Sequence, residues 1–321
     1  MEVFLAIVIL IASFALVIYG GNLFVDSSVG IAKKLKIPTP IIGATLVSIG
    51  TTIPELLVTI FSSSSDASGL AVGNALGSII FNTCLIGGIL LLCVLITIKS
   101  SVLPGFILLI FSVVLTGIMV INKNISLMES IVLLCLFIIF VAMNFISAKK
   151  QSNEAVNTLE KDKPIGIFIL LFLISATMIG VGAYFMVEKA KFLAQMANIS
   201  DTIIGLTIVS FGTSLPELIT SISAIRKKEP GLGLGNIVGS NIINCTLLIG
   251  ITGLFNASSG LPVSKDTALI SLPLAILTTL IMLLPTIIKK KTFKWQGILL
   301  LSLYIAYYVY LFLSAFGIIV V

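Results

Sequence analysis

The chain has 321 residues, of which 58% are apolar and 10% charged, and its formal net charge is +6. Soluble globular domains carry about 25% charged residues, so the composition excludes that class and indicates an integral membrane protein. Apolar runs of about 20 residues recur, which favours membrane-spanning helices over a barrel. No basic patch is interleaved with aromatic residues, so no nucleic-acid partner is expected. The positive charge is interpreted as loop lysines that face an anionic lipid leaflet.

Histidine is absent from the sequence, which excludes a zinc site built on imidazole and a histidine proton relay. The cysteines lie in apolar segments without the CxxC spacing of a metal or redox site, so they are interpreted as packing residues. They are Cys84, Cys93, Cys135 and Cys245. We therefore expect no cofactor, no enzyme activity and no implied protein partner; the expected surroundings are the lipid bilayer.

Ten transmembrane helices are predicted in chain order, which makes the expected fold all-α. The segment 149–163 is polar and charged and is interpreted as a cytoplasmic linker. It separates a first five-helix repeat, residues 1–148, from a second one, residues 164–321. The first two helices are predicted at 3–27 and 41–62, the third ends near 97, and the fourth is predicted at 102–121. The remaining helices are predicted near 127–146, 165–187, 202–225, 234–254, 267–288 and 295–318.

One motif occurs twice, 162 residues apart. Residues 43–60 read GATLVSIGTTIPELLVTI, and residues 205–222 read GLTIVSFGTSLPELITSI, with ten of eighteen positions identical. The same offset relates GNALGS at 73–78 to GNIVGS at 235–240. Because each half has an odd number of helices, the second half enters the membrane from the opposite side. The sequence therefore predicts the inverted repeats of secondary transporters.

The distribution of basic residues predicts the orientation of these helices. Of the 19 Lys and Arg, the ten-helix plan places only four on the side of the N-terminus: Lys123, Lys189, Lys191 and Lys265. The other fifteen fall on the opposite side, which is the pattern of cytoplasmic loops. We therefore expect both termini to be extracellular in a multi-pass protein of the cell membrane.

Two acidic residues are predicted at mid-membrane depth, Glu55 and Glu217, and they are equivalent positions of the two repeats. A carboxylate at this depth is costly, so it indicates a functional site. A single one could be a protonated packing residue, but that interpretation is not favoured for a symmetric pair in a duplicated motif.

Both glutamates directly follow a helix-breaking sequence. Gly50 and Pro54 precede or flank Glu55, and Gly212 and Pro216 do the same for the second glutamate. Proline removes a hydrogen-bond donor and frees a carbonyl one turn back, and such carbonyls can bind cations where they line a cavity. Packing alone would not explain the hydroxyl residues clustered there, which are Ser48, Thr51 and Thr52, and in the second copy Ser210, Thr213 and Ser214.

The next helix of each half carries a polar stripe. Asn74, Ser78 and Asn82 share one face in the first half, and Asn236, Ser240 and Asn244 share one face in the second. Each stripe includes a Gly-x-x-x-Gly spacing, which lets helix backbones approach closely. We expect each stripe to press against a broken helix.

The combined donors are carboxylate, hydroxyl, amide and carbonyl oxygens. Such a set suits a hard cation, and Ca²⁺ accepts about 6–8 oxygens in loose geometry whereas Mg²⁺ requires an octahedron. Ca²⁺ or Na⁺ is therefore favoured. One Ca²⁺ neutralises two glutamates, and several Na⁺ or protons could replace it. Alternate occupancy by different cations is the physical basis of antiport.

These motifs resemble the alpha-repeats of the sodium/calcium exchangers in the cation/calcium antiporter superfamily. GTTIPELL with GNALGSIIFN, and GTSLPELI with GNIVGSNIIN, carry the resemblance. It implies a ten-helix fold in which the second, third, seventh and eighth helices form the core and the first and sixth slide across it. It implies a Ca²⁺ site of Glu55, Glu217 and main-chain oxygens of Thr51 and Thr213. It further implies an outer Na⁺ site formed by Glu217, Thr213, Ser240 and the Ser210 carbonyl. The implied inner Na⁺ site is formed by Glu55, Thr51, Ser78 and the Ser48 carbonyl. A central position would lie among both glutamates, Asn82 and Asn244.

One position departs from the family pattern. Many such exchangers carry Asp where this chain has Asn244, so the centre is less anionic here, which leaves the coupling stoichiometry and any K⁺ co-transport open. A H⁺/Ca²⁺ antiporter of the same superfamily is the alternative. A cation channel is disfavoured because a deep dianionic site would hold Ca²⁺ too long for fast conduction. An intramembrane acid–base enzyme is also disfavoured, since no HExxH, GxSxG or paired-aspartate motif is present.

Overall fold

The computed structural model describes residues 2–64, 68–152, 164–196 and 210–315, and these are helical almost throughout. In chain order the α-helices of the first half are α1 Glu2–Leu35, α2 Thr39–Ile42, α3 Ser48–Thr51, α4 Ile53–Ser64, α5 Ser68–Ile80, α6 Gly88–Cys93, α7 Leu103–Met119 and α8 Leu127–Ser152. Those of the second half are α9 Ile165–Met196, α10 Ser210–Thr213, α11 Leu215–Arg226, α12 Pro230–Ile243, α13 Ile249–Phe255, α14 Leu272–Lys289 and α15 Lys294–Ala315.

Several helices are joined without a loop by short π-helical segments. These are Gly43–Val47 between α2 and α3, Phe81–Gly87 between α5 and α6, Asn244–Leu248 between α12 and α13, and Thr267–Ser271 before α14. The strand pair β1 Asn124–Ile125 and β2 Leu261–Pro262 is antiparallel and ties the loop after α7 to the loop before α14. The all-α prediction therefore holds for the fold, with this minor addition.

The long helices α1 and α9, which are equivalent under the 162-residue offset, pack against each other in antiparallel directions. Phe24 stacks on Phe172 with ring centroids 4.5 Å apart. Two turns away, a Cβ added at Gly182 would meet Val17, so the backbones approach closely there. An antiparallel pairing of equivalent helices is the geometry that an inverted repeat produces.

The centre of the molecule consists of α5 with its continuation and α12 with its continuation. In the most apolar window of Val72–Cys93, 72% of residues are buried, and in that of Pro230–Phe255, 83% are buried. The corresponding share is 17% in Leu127–Lys149 and 11% in Lys294–Ser314. The two segments that carry the predicted polar stripes therefore lie inside the protein, and the more peripheral helices offer apolar surface to lipid.

Among the described residues, eight helical segments are long and apolar enough to cross a bilayer. The other two predicted spans are the glutamate-bearing helices, which are interrupted, and the second of them begins before the described range that starts at residue 210. The structure thus supports a helical membrane protein. The count of ten crossings, the extracellular termini and the division into residues 1–148 and 164–321 stay predictions.

Several predicted helix ends were wrong, among them the three that follow. The first helix continues to Leu35 because Ser27 and Ser28 bond back to carbonyls of their own helix at 2.9 and 2.6 Å, so they do not break it. The sixth predicted helix likewise continues to Met196, and we have no physical account of that extension. The third predicted helix ends at Cys93, and the chain beyond it is extended because Ile96 N–H donates to Thr292 Oγ1 at 2.8 Å.

Parts of three predictions fall outside the described residues. They are residues 153–163 of the predicted linker, residues 202–209 of the seventh predicted helix, and residues 316–318 of the tenth predicted helix. Within the described part of the linker region, α8 continues as helix to Ser152.

Candidate functional site

The two glutamate-bearing helices are interrupted at equivalent residues. Thr52 separates α3 from α4 with φ −84° and ψ 1°, and Ser214 separates α10 from α11 with φ −91° and ψ 8°. In both copies a proline follows two residues later, and its ring nitrogen cannot donate to the carbonyl four residues back. The Gly-Thr-x-x-Pro sequence therefore breaks the helix at the predicted position, one turn before each glutamate.

Glu55 and Glu217 are both fully buried, with 0% exposure. Each carboxylate is contacted by a hydroxyl group of the opposite repeat. Ser214 Oγ donates to Glu55 Oε1 at 3.0 Å, and Thr52 Oγ1 donates to Glu217 Oε1 at 3.1 Å. Since Thr52 and Ser214 are equivalent positions, the two halves bridge each other symmetrically.

The serines of the polar stripes complete this arrangement. Ser78 Oγ lies 3.2 Å from Ser214 Oγ, and its equivalent Ser240 Oγ lies 3.0 Å from Thr52 Oγ1 and 3.4 Å from Glu217 Oε1. Both serines are buried. Glu217 is thus contacted by one hydroxyl group from a broken helix and one from a central helix, whereas Ser78 reaches Glu55 through the hydroxyl group of Ser214.

The two predicted amides, Asn82 and Asn244, lie in the two central π-helical segments and are fully buried. A π-helical insertion inside an α-helix is rare and occurs frequently at functional sites. Asn82 Nδ2 donates to Asn241 Oδ1 at 3.2 Å, and Asn241 Nδ2 donates to Thr83 Oγ1 at 2.8 Å. Asn244 has no such contact among the described residues.

The remaining predicted ligands lie along the interrupted helices. The Thr51 hydroxyl donates towards Asn236 Oδ1 at 3.1 Å. The Ser48 carbonyl accepts from Thr52 N–H at 3.0 Å and from the Thr51 hydroxyl at 3.3 Å. Thr213 is buried at the end of α10. Ser210 is the first residue of that helix, and its side chain lies outside the description. The hydroxyl groups bonded to the glutamates thus include those of Thr52 and Ser214, the residues that follow Thr51 and Thr213.

The glycine stripe of α12 brings this polar face against the broken first-repeat helix. A Cβ at Gly235 would collide with the Pro40 carbonyl, and one at Gly239 would collide with the Ala44 carbonyl and the Ser48 hydroxyl. Only glycine allows this approach, which is the role expected from the Gly-x-x-x-Gly spacing. The stripe of one repeat thus presses on the broken helix of the other.

Several buried polar atoms at this site have no hydrogen-bond partner among the described residues. They are Glu55 Oε2, Glu217 Oε2, Asn82 Oδ1, Asn236 Nδ2 and both amide atoms of Asn244. Buried polar atoms are nearly always paired, so unpaired ones point to a ligand or to water. Carboxylate and amide oxygens left unpaired are suited to a hard cation. The described residues include no cluster of three or more His, Cys, Asp or Glu, so the anionic charge here is limited to two carboxylates.

The sequence prediction missed Asn241 and Thr83 as site residues, and it named Thr52 and Ser214 only as members of the motif. A signal for Asn241 was available, since it is the one amide in GSNIIN that the first repeat replaces by an apolar residue, Ile79. An additional amide in a fully apolar helix requires a buried partner. Asn82 and Thr83 supply those partners.

A multi-pass helical protein, whose buried polar centre is built between two copies of one interrupted helix, belongs to the class of secondary transporters. Comparison with known proteins identifies the family. The sequence pattern of the family described as "Sodium/calcium exchanger protein" matches residues 5–146 and 167–313, so the chain belongs to the sodium/calcium exchanger family.

Individual relatives cover most of the chain. It is 33% identical to the sodium/calcium exchanger MaX1 of Methanosarcina acetivorans over 95% of this chain and 97% of that protein. It is 35% identical to an uncharacterized membrane protein of Methanocaldococcus jannaschii over 90% of this chain and 92% of that protein. Among solved structures, the sodium-calcium exchanger NCX_Mj superimposes with a TM-score of 0.84 at 32% identity, covering 95% of this chain and 98% of the other.

Proposed function

We propose that this protein is a secondary-active antiporter that exchanges Ca²⁺ for Na⁺ across the cell membrane. The observation that carries the proposal is the pair of fully buried glutamates, Glu55 and Glu217, each bridged by a hydroxyl group of the opposite repeat. Ten helices in two inverted repeats, with both termini outside, would present this site to each side of the membrane in turn.

Charge balance supports Ca²⁺ as one transported ion. Two ionised carboxylates in a site closed to solvent carry a charge of −2, which one Ca²⁺ neutralises. Each carboxylate has one oxygen, Oε2, without a protein partner among the described residues. We propose that these oxygens, with main-chain oxygens of Thr51 and Thr213, form the Ca²⁺ site. Such a mixed oxygen set suits the loose coordination of Ca²⁺ better than the strict octahedron of Mg²⁺.

The hydroxyl groups support Na⁺ as the counter-ion. A proton needs only the carboxylates, whereas Na⁺ needs further oxygens. Two hydroxyl groups contact Glu217, and the Ser214 hydroxyl, itself bonded to Ser78, contacts Glu55. Thr52 and Ser214 therefore join the ligands expected from the sequence. The proposed outer site has Glu217, Thr213, Ser240 and the Ser210 carbonyl; the inner site has Glu55, Thr51, Ser78 and the Ser48 carbonyl; and the central position has Asn82 and Asn244 between the glutamates.

Exchange follows from the cost of an uncompensated buried charge. Moving an ionised carboxylate into a low-dielectric interior costs several kcal/mol unless a cation or a proton compensates it. The site can therefore change its access only when it is loaded, with either one Ca²⁺ or a set of monovalent cations. Because both loads need the same two carboxylates, they exclude each other, and the movement of one ion is coupled to that of the other.

The relatives support the same pair of ions. MaX1 is named a sodium/calcium exchanger, and the structures of NCX_Mj include crystals soaked with Na⁺ together with Ca²⁺ or Sr²⁺. Sr²⁺ is an oxygen-seeking divalent cation that stands in for Ca²⁺. The present chain keeps an oxygen-only donor set of the kind that would accept these ions.

The deciding experiment measures ⁴⁵Ca²⁺ uptake into proteoliposomes that contain the purified protein. Vesicles loaded with Na⁺ and diluted into Na⁺-free medium at equal pH should accumulate Ca²⁺, and vesicles with only an acidic interior should not. Uptake driven by the pH gradient alone would show that the counter-ion is H⁺ and not Na⁺. Uptake that needs neither gradient and follows the Ca²⁺ gradient alone would indicate a channel and refute antiport.

A further inference from the structure

A second cavity lies apart from the glutamates, between the outer helices and the core. It has a volume of about 390 Å³ and is bounded by α7, α8, α12, α2 and the extended segment after α6. This volume is in the range of small-molecule sites. The outer wall, α7 and α8, belongs to helical segments that offer much of their surface to lipid. The cavity therefore lies next to the lipid bilayer, and membrane lipids are the molecules best placed to enter it.

The walls of the cavity are apolar. Phe106 and Phe140 come from the two outer helices, and Leu234 and Val238 come from the central helix α12. All four side chains are buried. Such walls favour a hydrocarbon chain, because a polar ligand would lose its hydration there without replacement hydrogen bonds.

The charged side chain among the lining residues lies in the segment after α6, while Thr39 on α2 and Asn144 and Ser147 on α8 add neutral polar groups. Lys99 is exposed and lines the cavity. Two residues later, the buried hydroxyl oxygen of Ser101 has no hydrogen-bond partner among the described residues. The described residues that line the cavity include no acidic side chain. A positive charge beside an unpaired hydroxyl group is therefore not neutralised by the cavity itself, and it is complementary to an anionic headgroup.

We propose that this cavity binds one anionic membrane lipid, with an acyl chain between Phe106, Phe140 and Leu234 and its phosphate at Lys99 and Ser101. Moving the acyl chain from the bilayer into the cavity changes its free energy little, because both surroundings are apolar. The selectivity between lipids therefore comes from the headgroup. One lysine near the surface contributes roughly 1 kcal/mol towards an anionic lipid, which corresponds to a preference of about fivefold. The lipid would join the α7–α8 hairpin to the core independently of ion transport.

Gly105 provides a substitution that closes the cavity without disturbing its frame. It lines the cavity, and a Cβ added there meets nothing within 4 Å. A tryptophan side chain at this position would extend into the cavity. Gly180 on α9 is a matched control, because a Cβ added there also meets nothing within 4 Å and the residue does not line the cavity.

The test counts bound lipid by native mass spectrometry of the full-length protein, titrated with dioleoyl phosphatidylglycerol or dioleoyl phosphatidylcholine. We expect one phosphatidylglycerol to bind preferentially, with at least tenfold weaker binding in Gly105→Trp and unchanged binding in Gly180→Trp. Lys99→Gln, an exposed change that leaves the fold intact, should lower the preference for phosphatidylglycerol about fivefold. Equal binding of the two lipids to the native protein would overturn the proposal, as would equal occupancy in the two tryptophan variants or no change in Lys99→Gln.

Discussion

Replacing Glu217 by glutamine removes one of the two buried charges and changes almost nothing else in shape. The glutamine Oε1 can still accept the hydrogen bond from Thr52, which is 3.1 Å long in the native protein, and the side chain keeps its volume. Because the position is fully buried, solvent water does not reach it to compensate for the missing carboxylate. The variant therefore tests whether the carboxylate binds a cation or only fills space.

The expected loss can be estimated from electrostatics. At an effective dielectric constant of about 20 and a separation of about 4 Å, one pair of unit charges interacts by roughly 4 kcal/mol, so Ca²⁺ loses roughly 8 kcal/mol. The variant also avoids the several kcal/mol needed to dehydrate the carboxylate. The net loss for Ca²⁺ is then about 3–5 kcal/mol, or about two to three and a half orders of magnitude in affinity. Na⁺, with half the charge, loses only roughly 4 kcal/mol of attraction, which the same dehydration term offsets, so its affinity should change little.

The assay is a pair of titrations on the purified protein, Ca²⁺ binding by calorimetry and Na⁺ dependence of Ca²⁺ efflux from vesicles. We expect Ca²⁺ affinity to fall much more than Na⁺ affinity in Glu217→Gln. The control is Glu129→Gln, because Glu129 is a half-buried carboxylate away from the site that caps α8 through a 2.7 Å bond from Ser126 N–H. Near-native Ca²⁺ affinity, or equal losses for the two ions, would refute a carboxylate that binds Ca²⁺ directly.

Three further changes test the surroundings of the glutamates. Asn244→Asp adds a charge at the proposed centre, so we expect an altered Na⁺ dependence with Ca²⁺ binding retained; an unchanged Na⁺ dependence contradicts a central role. Gly239→Ala forces a Cβ into the neighbouring backbone and should destabilise the protein by about 1–3 kcal/mol in thermal unfolding, whereas Gly180→Ala should not. Asn241→Ile leaves Asn82 Nδ2 unpaired and should cost about 1–3 kcal/mol and weaken ion binding; unchanged stability and transport exclude a positioning role.

The fold was predictable to the extent that lipid dictates it. Apolar runs of about 20 residues can only be helices in a bilayer, and the 162-residue repeat added the relation between the halves. Helix ends were less predictable, because Ser27 and Ser28 hide their polarity by bonding back into their own helix. In water such residues favour caps and turns, whereas here they lie inside the helix.

The site was predictable as a set of motifs and less so as a set of contacts. Glu55 and Glu217 stood out because a carboxylate in an apolar run has no other inexpensive explanation. That Thr52 and Ser214 place their hydroxyl groups on the glutamates of the opposite repeat depends on the helix interruption. An interruption rotates the following residues by an amount that spacing alone does not fix. The ion-binding roles of all these residues stay predictions, which the substitutions above address.

The symmetry of the site and its one break have different consequences for exchange. Equivalent hydroxyl groups contact each glutamate from the opposite repeat, so the two ends of the site offer similar ligands, as reversible exchange between two sides requires. At the centre, Asn82 is held by Asn241, while Asn244 has neither amide atom paired among the described residues. The held amide keeps its Oδ1 free for a cation, and the unheld one can turn either its oxygen to a cation or its NH₂ to a carboxylate. We therefore predict that Asn244 adapts to a different load, because among the described amides it is the one with both an acceptor and a donor left unpaired.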